Sequence, residues 1–128
     1  PRGDLRGLHL QQSHPQGKLA SCSAAAVYDV AVDVDPASKT FGQYVGVELS
    51  AENHRQLWIP PGYAHGFCVL SEFADFQYKC TDLYFPDDEG GLIWNDPEVG
   101  IPWPVDSPTL SDKDQNLPSL AAIRSGNV

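Results

Sequence analysis

Hydrophobic and polar residues alternate with a period of two along several short stretches, and that period predicts β-strands. The clearest is "AAAVYDVAVDV" (Ala24 to Val34), where Tyr28, Val30, Val32 and Val34 oppose Val27, Asp29, Ala31 and Asp33. "FGQYVGVELS" and "RQLWIPPG" give two further strands, the second stopped by Pro60 and Pro61. "HGFCVLS" and "ADFQYKCTDLY" follow, the latter setting Phe76, Tyr78 and Cys80 against Asp75, Gln77 and Lys79. Near the start, "DLRGLHLQQ" places Leu5, Gly7, His9 and Gln11 on one face and Arg6, Leu8 and Leu10 on the other. Strands at this spacing, parted by turn residues, predict an all-β sandwich, jelly roll or barrel. Only "SDKDQNLPSLAAIRSG" reads as helical, with Ser111 or Asp112 as N-cap and Gly126 as stop. The tail after Trp103 is expected to pack back over the sheet.

The chain of 128 residues suffices for a single domain with a real core, over 1–128, and is too short for two. A net charge of -9 argues against nucleic acid or an anionic membrane as partner. An anionic small molecule would need its few cationic contacts to converge locally. No run approaches the roughly 18 apolar residues of a membrane span, and no signal-peptide pattern is present. Cys22, Cys68 and Cys80 are an odd number without a CxxC pair, so free thiols and a cytoplasmic setting are expected.

The four histidines differ in setting. His14 and His54 lie in polar turns and are expected to be solvated. His65 follows a Pro-Pro-Gly turn at the head of an apolar strand. His9 stands between leucines, and its own stretch favours a core histidine over a base. Metal-binding jelly rolls offer two histidines one residue apart with a carboxylate, and no HxH occurs here, so no metal is expected. Acid–base chemistry without a metal or cofactor is the remaining option, with His9 as base, Tyr78 as acid and Lys18 or Arg6 as cation. Each has a plainer alternative as a packed or solvated side chain, and spacing alone does not bring them together.

"LRGLHLQ", "PQGKL", "VYDVAVDV", "TFGQYVGVELSAENHRQLWIPPGYAHGF", "YKCTDLYFP", "WNDPEVGIPWP" and "LSDKD" occur in order. Together they resemble the dTDP-4-dehydrorhamnose 3,5-epimerases, over about Gly3 to Pro118. The resemblance implies a cupin-like jelly roll, or double-stranded β-helix, with a short C-terminal helical segment. It implies a dTDP-sugar substrate, a homodimer and no cofactor. It also implies roles for individual residues. His9 of "RGLH" would be the base, Tyr78 of "YK" the proton donor, and Asp114 of "LSDKD" the partner of the base. Lys18 of "QGK" would lie near the sugar ketone and Arg6 at the nucleotide diphosphate. His65 would line the sugar pocket, Tyr84 would stack on thymine, Glu89 would make a nucleotide-side contact, and Lys113 would be a substrate-binding lysine.

This chemistry suits the residue types. The C3 and C5 hydrogens both flank a C4 ketone, so removing either gives an enolate. A base of near-neutral pKa takes the proton, and a cation or hydrogen-bond donor stabilises the oxyanion. Inversion then requires a proton from the opposite ring face.

Three further expectations follow. Strict alternation puts Arg6 and His9 on opposite faces, so a bulge at Gly7 is expected if both reach one pocket. Ala25 stands where the family has a turn glycine, and alanine there would strain a positive-φ backbone. Family members carry a longer segment before "RGLH", whose absence is expected to weaken activity and favour self-association. The rival readings are an epimerase of one carbon or another deoxysugar, a non-catalytic nucleotide-sugar binder, and a metal-dependent cupin oxygenase.

Overall fold

The computed structural model describes residues 2–13, 15–81 and 89–126. Eight strands and two short helices make up these segments: β1 (Leu5–Gln11), β2 (Lys18–Ala24), β3 (Ala26–Asp33), β4 (Tyr44–Ser50), β5 (Gln56–Ile59), β6 (Tyr63–Val69), β7 (Asp75–Cys80) and β8 (Glu89–Gly91), then α1 (Asp112–Gln115) and α2 (Leu120–Ser125). They form a five-stranded sheet in the order β4-β3-β6-β1-β8 and a three-stranded sheet in the order β5-β2-β7. Every ladder within the sheets is antiparallel. This is the two-sheet jelly-roll arrangement.

The alternation in β3 explains the layers. Its odd-numbered face, with Val27 and Ala31, meets Leu49 and Val69 of its own sheet and Ala20, Cys22 and Ile59 of the other. That is the core between the sheets. Its even-numbered face, with Val30 and Val32, packs together with Val34 just beyond the strand and with Leu8, Ala64, Leu92, Val99 and Leu120. Phe41, Ile101, Trp103 and Ile123 border this second cluster, so the C-terminal tail does cover the outer face of the larger sheet. A strand buried on both faces needs apolar residues at nearly every position, and each fully buried valine or leucine stabilises by about 1.5–3 kcal/mol.

Two strands lacked a clear pattern in the sequence. β2 ("KLASCSA") is built from small residues, and β8 ("EGG") has almost no side chains to alternate. The single helical segment expected after Ser111 is in fact two helices. Ser111 caps α1 by accepting from the Asp114 N–H, and Ser119 caps α2 by accepting from the Ala122 N–H. Pro118 separates them, because it has no N–H to continue a helical ladder. Gly126 ends α2 in the left-handed conformation, as expected. Ala25 has φ 63, the strained turn geometry that its place in the sequence suggested.

β1 departs from strict alternation. Its register against β6 shifts between Arg6 and His9, and Gly7 takes φ 115. A Cβ at Gly7 would lie 2.7 Å from the Gly66 Cα and 2.7 Å from the His65 carbonyl oxygen, so only glycine fits. The shift sends Leu8 into the outer core and turns both Arg6 and His9 toward one cavity. The expected Gly7 irregularity therefore exists.

Candidate active site

A cavity of about 690 Å³ opens between the sheets. From the larger sheet, β1 contributes Arg6 and His9, β6 contributes His65 and Phe67, and β8 contributes Glu89. From the smaller sheet, β2 contributes Lys18 and β7 contributes Phe76, Tyr78 and Cys80. Lys113 of α1 stands at the same cavity. Residues spread across the sequence thus meet on two facing walls.

His9 is held from behind by Asp114. Its Nε2 lies 2.6 Å from Asp114 Oδ1, while Asp114 Oδ2 accepts a 3.1 Å hydrogen bond from the Gly7 N–H. One buried carboxylate therefore fixes both the imidazole and the backbone irregularity that aims it. A carboxylate only accepts, so in the neutral imidazole Nε2 carries the hydrogen and donates it to Asp114, which makes Nδ1 the acceptor nitrogen. Glu89 Oε1 lies 3.7 Å from the same Nε2 and 2.6 Å from Lys113 Nζ.

His65 forms a second pair. Its Nε2 lies 2.6 Å from Asp29 Oδ1, and both residues are buried. Burial pushes the Asp29 carboxyl up, and the hydrogen bond from His65 offsets this in part. Among the described residues, the buried Asp29 Oδ2 atom has no hydrogen-bond partner. Asp29 was not singled out from the sequence as a site residue. The signal was there: a carboxylate on an inward face beside Val27 and Ala31 is rarely buried unless paired.

On the opposite wall, Lys18 is only 8% exposed. Its Nζ lies 5.1 Å from the centroid of the Tyr78 ring. Burial lowers the Lys18 pKa, against the pull of Cys80, Glu89 and Asp29. Burial raises the Tyr78 pKa, helped by Cys80 and Glu89, with Arg6 opposing. Tyr78 therefore keeps its proton at neutral pH. The sequence placed Tyr78 on an inward face, yet it is 50% exposed, because that face borders an open cavity rather than core. The Tyr78 and His65 rings meet edge to face at 6.0 Å, and Phe76 stacks on Phe67 at 4.2 Å.

His54 is exposed, as expected of a polar turn. Cys22 and Cys68 are buried, while Cys80 is exposed at the cavity, unlike the small core residue its strand suggested. Tyr84 and His14 lie outside the described residues. Among the described residues, no three His, Cys, Asp or Glu side chains converge as metal ligands would. Phe67, Phe73 and Phe76 line the cavity without having been proposed as site residues, since aromatic positions on strands read equally as core.

Comparison with known proteins bears on this site. The chain is 57% identical over 121 residues to the dTDP-4-dehydrorhamnose 3,5-epimerase of Pseudomonas aeruginosa, covering 94% of this chain and 67% of that protein. It superposes with a TM-score of 0.92 on the dTDP-6-deoxy-D-glucose-3,5-epimerase of Legionella pneumophila in complex with dTDP-4-keto-L-rhamnose, at 52% identity, covering 98% of this chain and 67% of that one. A 3'-monoepimerase from Streptomyces bikiniensis, in complex with dTDP-quinovose, superposes at 0.89 with 39% identity, covering 98% of this chain and 65% of that one. The chain thus spans about two thirds of the length of these relatives. The family model described as dTDP-4-dehydrorhamnose 3,5-epimerase matches residues 1–122, and the chain belongs to that family.

Proposed function

We propose that the chain inverts C3 and C5 of dTDP-4-dehydro-6-deoxy-D-glucose by proton transfer through enolates, giving dTDP-4-dehydro-L-rhamnose. The observation that carries this reading is the placement of a His–Asp pair and a protonated tyrosine on opposite walls of one cavity. His9 Nδ1 removes the proton next to the ketone. Asp114 holds the ring and stabilises the imidazolium that forms. Lys18, an ammonium with little water around it, stabilises the enolate oxygen more strongly than it would in bulk solvent. Tyr78 then returns a proton from the other face, which inverts the carbon. His65, held by Asp29, lines the sugar end of the cavity. Arg6 and Lys113 supply cationic charge for the diphosphate in a chain whose net charge is -9. The family resemblance also supports a thymine contact by Tyr84 and a homodimer working in the cytoplasm.

The test is proton NMR of the product formed from dTDP-4-dehydro-6-deoxy-D-glucose. Inversion at both carbons is expected. The likeness to a 3'-monoepimerase supports a second reading, inversion at C3 alone, which the same spectrum distinguishes. Nucleotide-sugar binding with no change at either carbon would mark a binding module.

A further inference from the structure

Among the described residues, β7 stands at the edge of the smaller sheet and pairs with β2 only. On its inner face, Phe76 and Tyr78 are in register with Cys22 and Ala20, two small residues that give a ring little support from the side. Phe76 finds that support across the gap between the sheets. Its ring stacks on Phe67 of β6 with centroids 4.2 Å apart and lies 5.8 Å from the His65 ring. The same ring lies 6.0 Å from Tyr78, two positions along one face of β7. Tyr78 in turn meets His65 edge to face at 6.0 Å, and the Lys18 ammonium lies 5.1 Å from its ring centroid. These are packing contacts on ring faces and edges, so the Tyr78 ring stands where its neighbours hold it. Phe76 joins Tyr78 to His65 and Phe67 of the facing sheet.

We propose that Phe76 is a positioning residue for Tyr78. By stacking on Phe67 it fixes the edge strand β7, and with it the Tyr78 hydroxyl, at the distance from the larger sheet that proton return requires. The base has a different support. His9 is held by Asp114, which also binds the β1 backbone at Gly7, so proton removal does not depend on the aromatic stack. The two halves of an inversion are thus mounted separately, and loss of the stack uncouples them. A core residue at this position would need only apolar volume, whereas placing Tyr78 needs a flat ring against Phe67. A reacting group misplaced by about 1 Å can cost about 10²-fold in rate. The catalytic consequence rests on the function proposed above, whereas the placement of the Tyr78 ring does not.

Nuclear Overhauser contacts between the Tyr78 and His65 ring protons, measured in the intact chain without ligand, read the placement directly. They are expected in the parent and in Phe76→Tyr, which keeps a ring, and are expected to vanish in Phe76→Leu, which keeps apolar volume without one. Contacts absent from the parent, or undiminished in Phe76→Leu, overturn the proposal. The second arm uses dTDP-4-dehydro-6-deoxy-D-glucose in heavy water. Phe76→Leu is expected to exchange substrate hydrogens within about threefold of the parent and to lose net inversion by about 10–10²-fold. Phe76→Tyr is expected to restore the parent's ratio of exchange to inversion. Equal losses of exchange and inversion in Phe76→Leu, or no loss of either, overturn the positioning role. Phe67→Leu removes the far half of the stack from β6, a strand paired on both sides, and serves where Phe76→Leu fails to fold. It is expected to shift the ratio in the same direction, and an unchanged ratio overturns the proposal. A parent that inverts neither carbon contradicts the proposed function instead, and the ring contacts then decide the placement of Tyr78 on their own.

Discussion

His9 and Asp114 are 105 positions apart, yet His9 Nε2 and Asp114 Oδ1 meet at 2.6 Å behind the cavity wall. The second Asp114 oxygen anchors the Gly7 N–H, so one side chain orients the base and pins the backbone that carries it. Asp114→Asn keeps the size of the side chain and removes its charge. It is expected to lower turnover by about 10²–10⁴-fold, the scale of general acid–base catalysis, while the chain stays folded by circular dichroism. Asp114→Ala would in addition leave the buried Gly7 N–H unpaired, at a cost of about 1–3 kcal/mol measurable by urea unfolding.

Tyr78 tests the division of labour between the two walls. Tyr78→Phe leaves His9, Asp114 and Lys18 in place and removes only the phenolic hydroxyl with its proton. Exchange of substrate hydrogens with solvent should continue, while net inversion falls by about 10²-fold or more. Parallel measurement of exchange and product formation reads the two apart, and equal inversion in variant and parent would remove Tyr78 from its role.

Gly7 and Gly62 separate steric from conformational cost. Both have positive φ, but a Cβ at Gly7 meets backbone at 2.7 Å whereas one at Gly62 meets nothing within 4 Å. Gly62→Ala is expected to cost about 1–2 kcal/mol, the ordinary strain of a left-handed alanine. Gly7→Ala forces β1 and β6 apart, so it should cost clearly more in urea unfolding and lose activity with it.

Asp33 gives a stability prediction with a definite sign. Burial pushes its carboxyl up, but the Ser38 and Thr40 hydroxyls and the Asp35 N–H outweigh that and hold it below its ordinary value of 3.8. A carboxyl lowered in the folded state stabilises fully above its unfolded value, and the contribution is lost as pH falls through the folded value. Asp33→Asn should therefore destabilise by about 1–3 kcal/mol at neutral pH, from weakened charge-assisted hydrogen bonds. The gap between parent and variant should shrink as pH drops below the ordinary carboxylate range, as thermal melts at several pH values would show.

Much of this architecture was legible because burial imposes a period on strands. β3 declared both of its faces, and the conflict between alternation and the two polar residues Arg6 and His9 pointed to the irregularity at Gly7. β2 escaped because small residues pack between sheets without a strong pattern, and β8 because glycines have no side chain to show one. The helical segment read as one because its caps, Ser111 and Gly126, stand at its outer ends, while Ser119 and Pro118 divide it within. The pairing of His9 with Asp114 could be inferred only through resemblance, since nothing local in either stretch points to the other. Asp29 was visible as an acid on an apolar face, but its partner His65 became evident only once β3 and β6 were adjacent.

The central claim is that His9 takes the proton. The most direct measurement is deuterium incorporation at C3 and C5 of dTDP-4-dehydro-6-deoxy-D-glucose in heavy water, comparing the parent chain with His9→Asn. The parent should incorporate deuterium at both carbons, and the variant should lose incorporation at both by about 10²–10⁴-fold while still binding dTDP. A loss smaller than about tenfold at either carbon would contradict the account and return His9 to a structural place in the sheet.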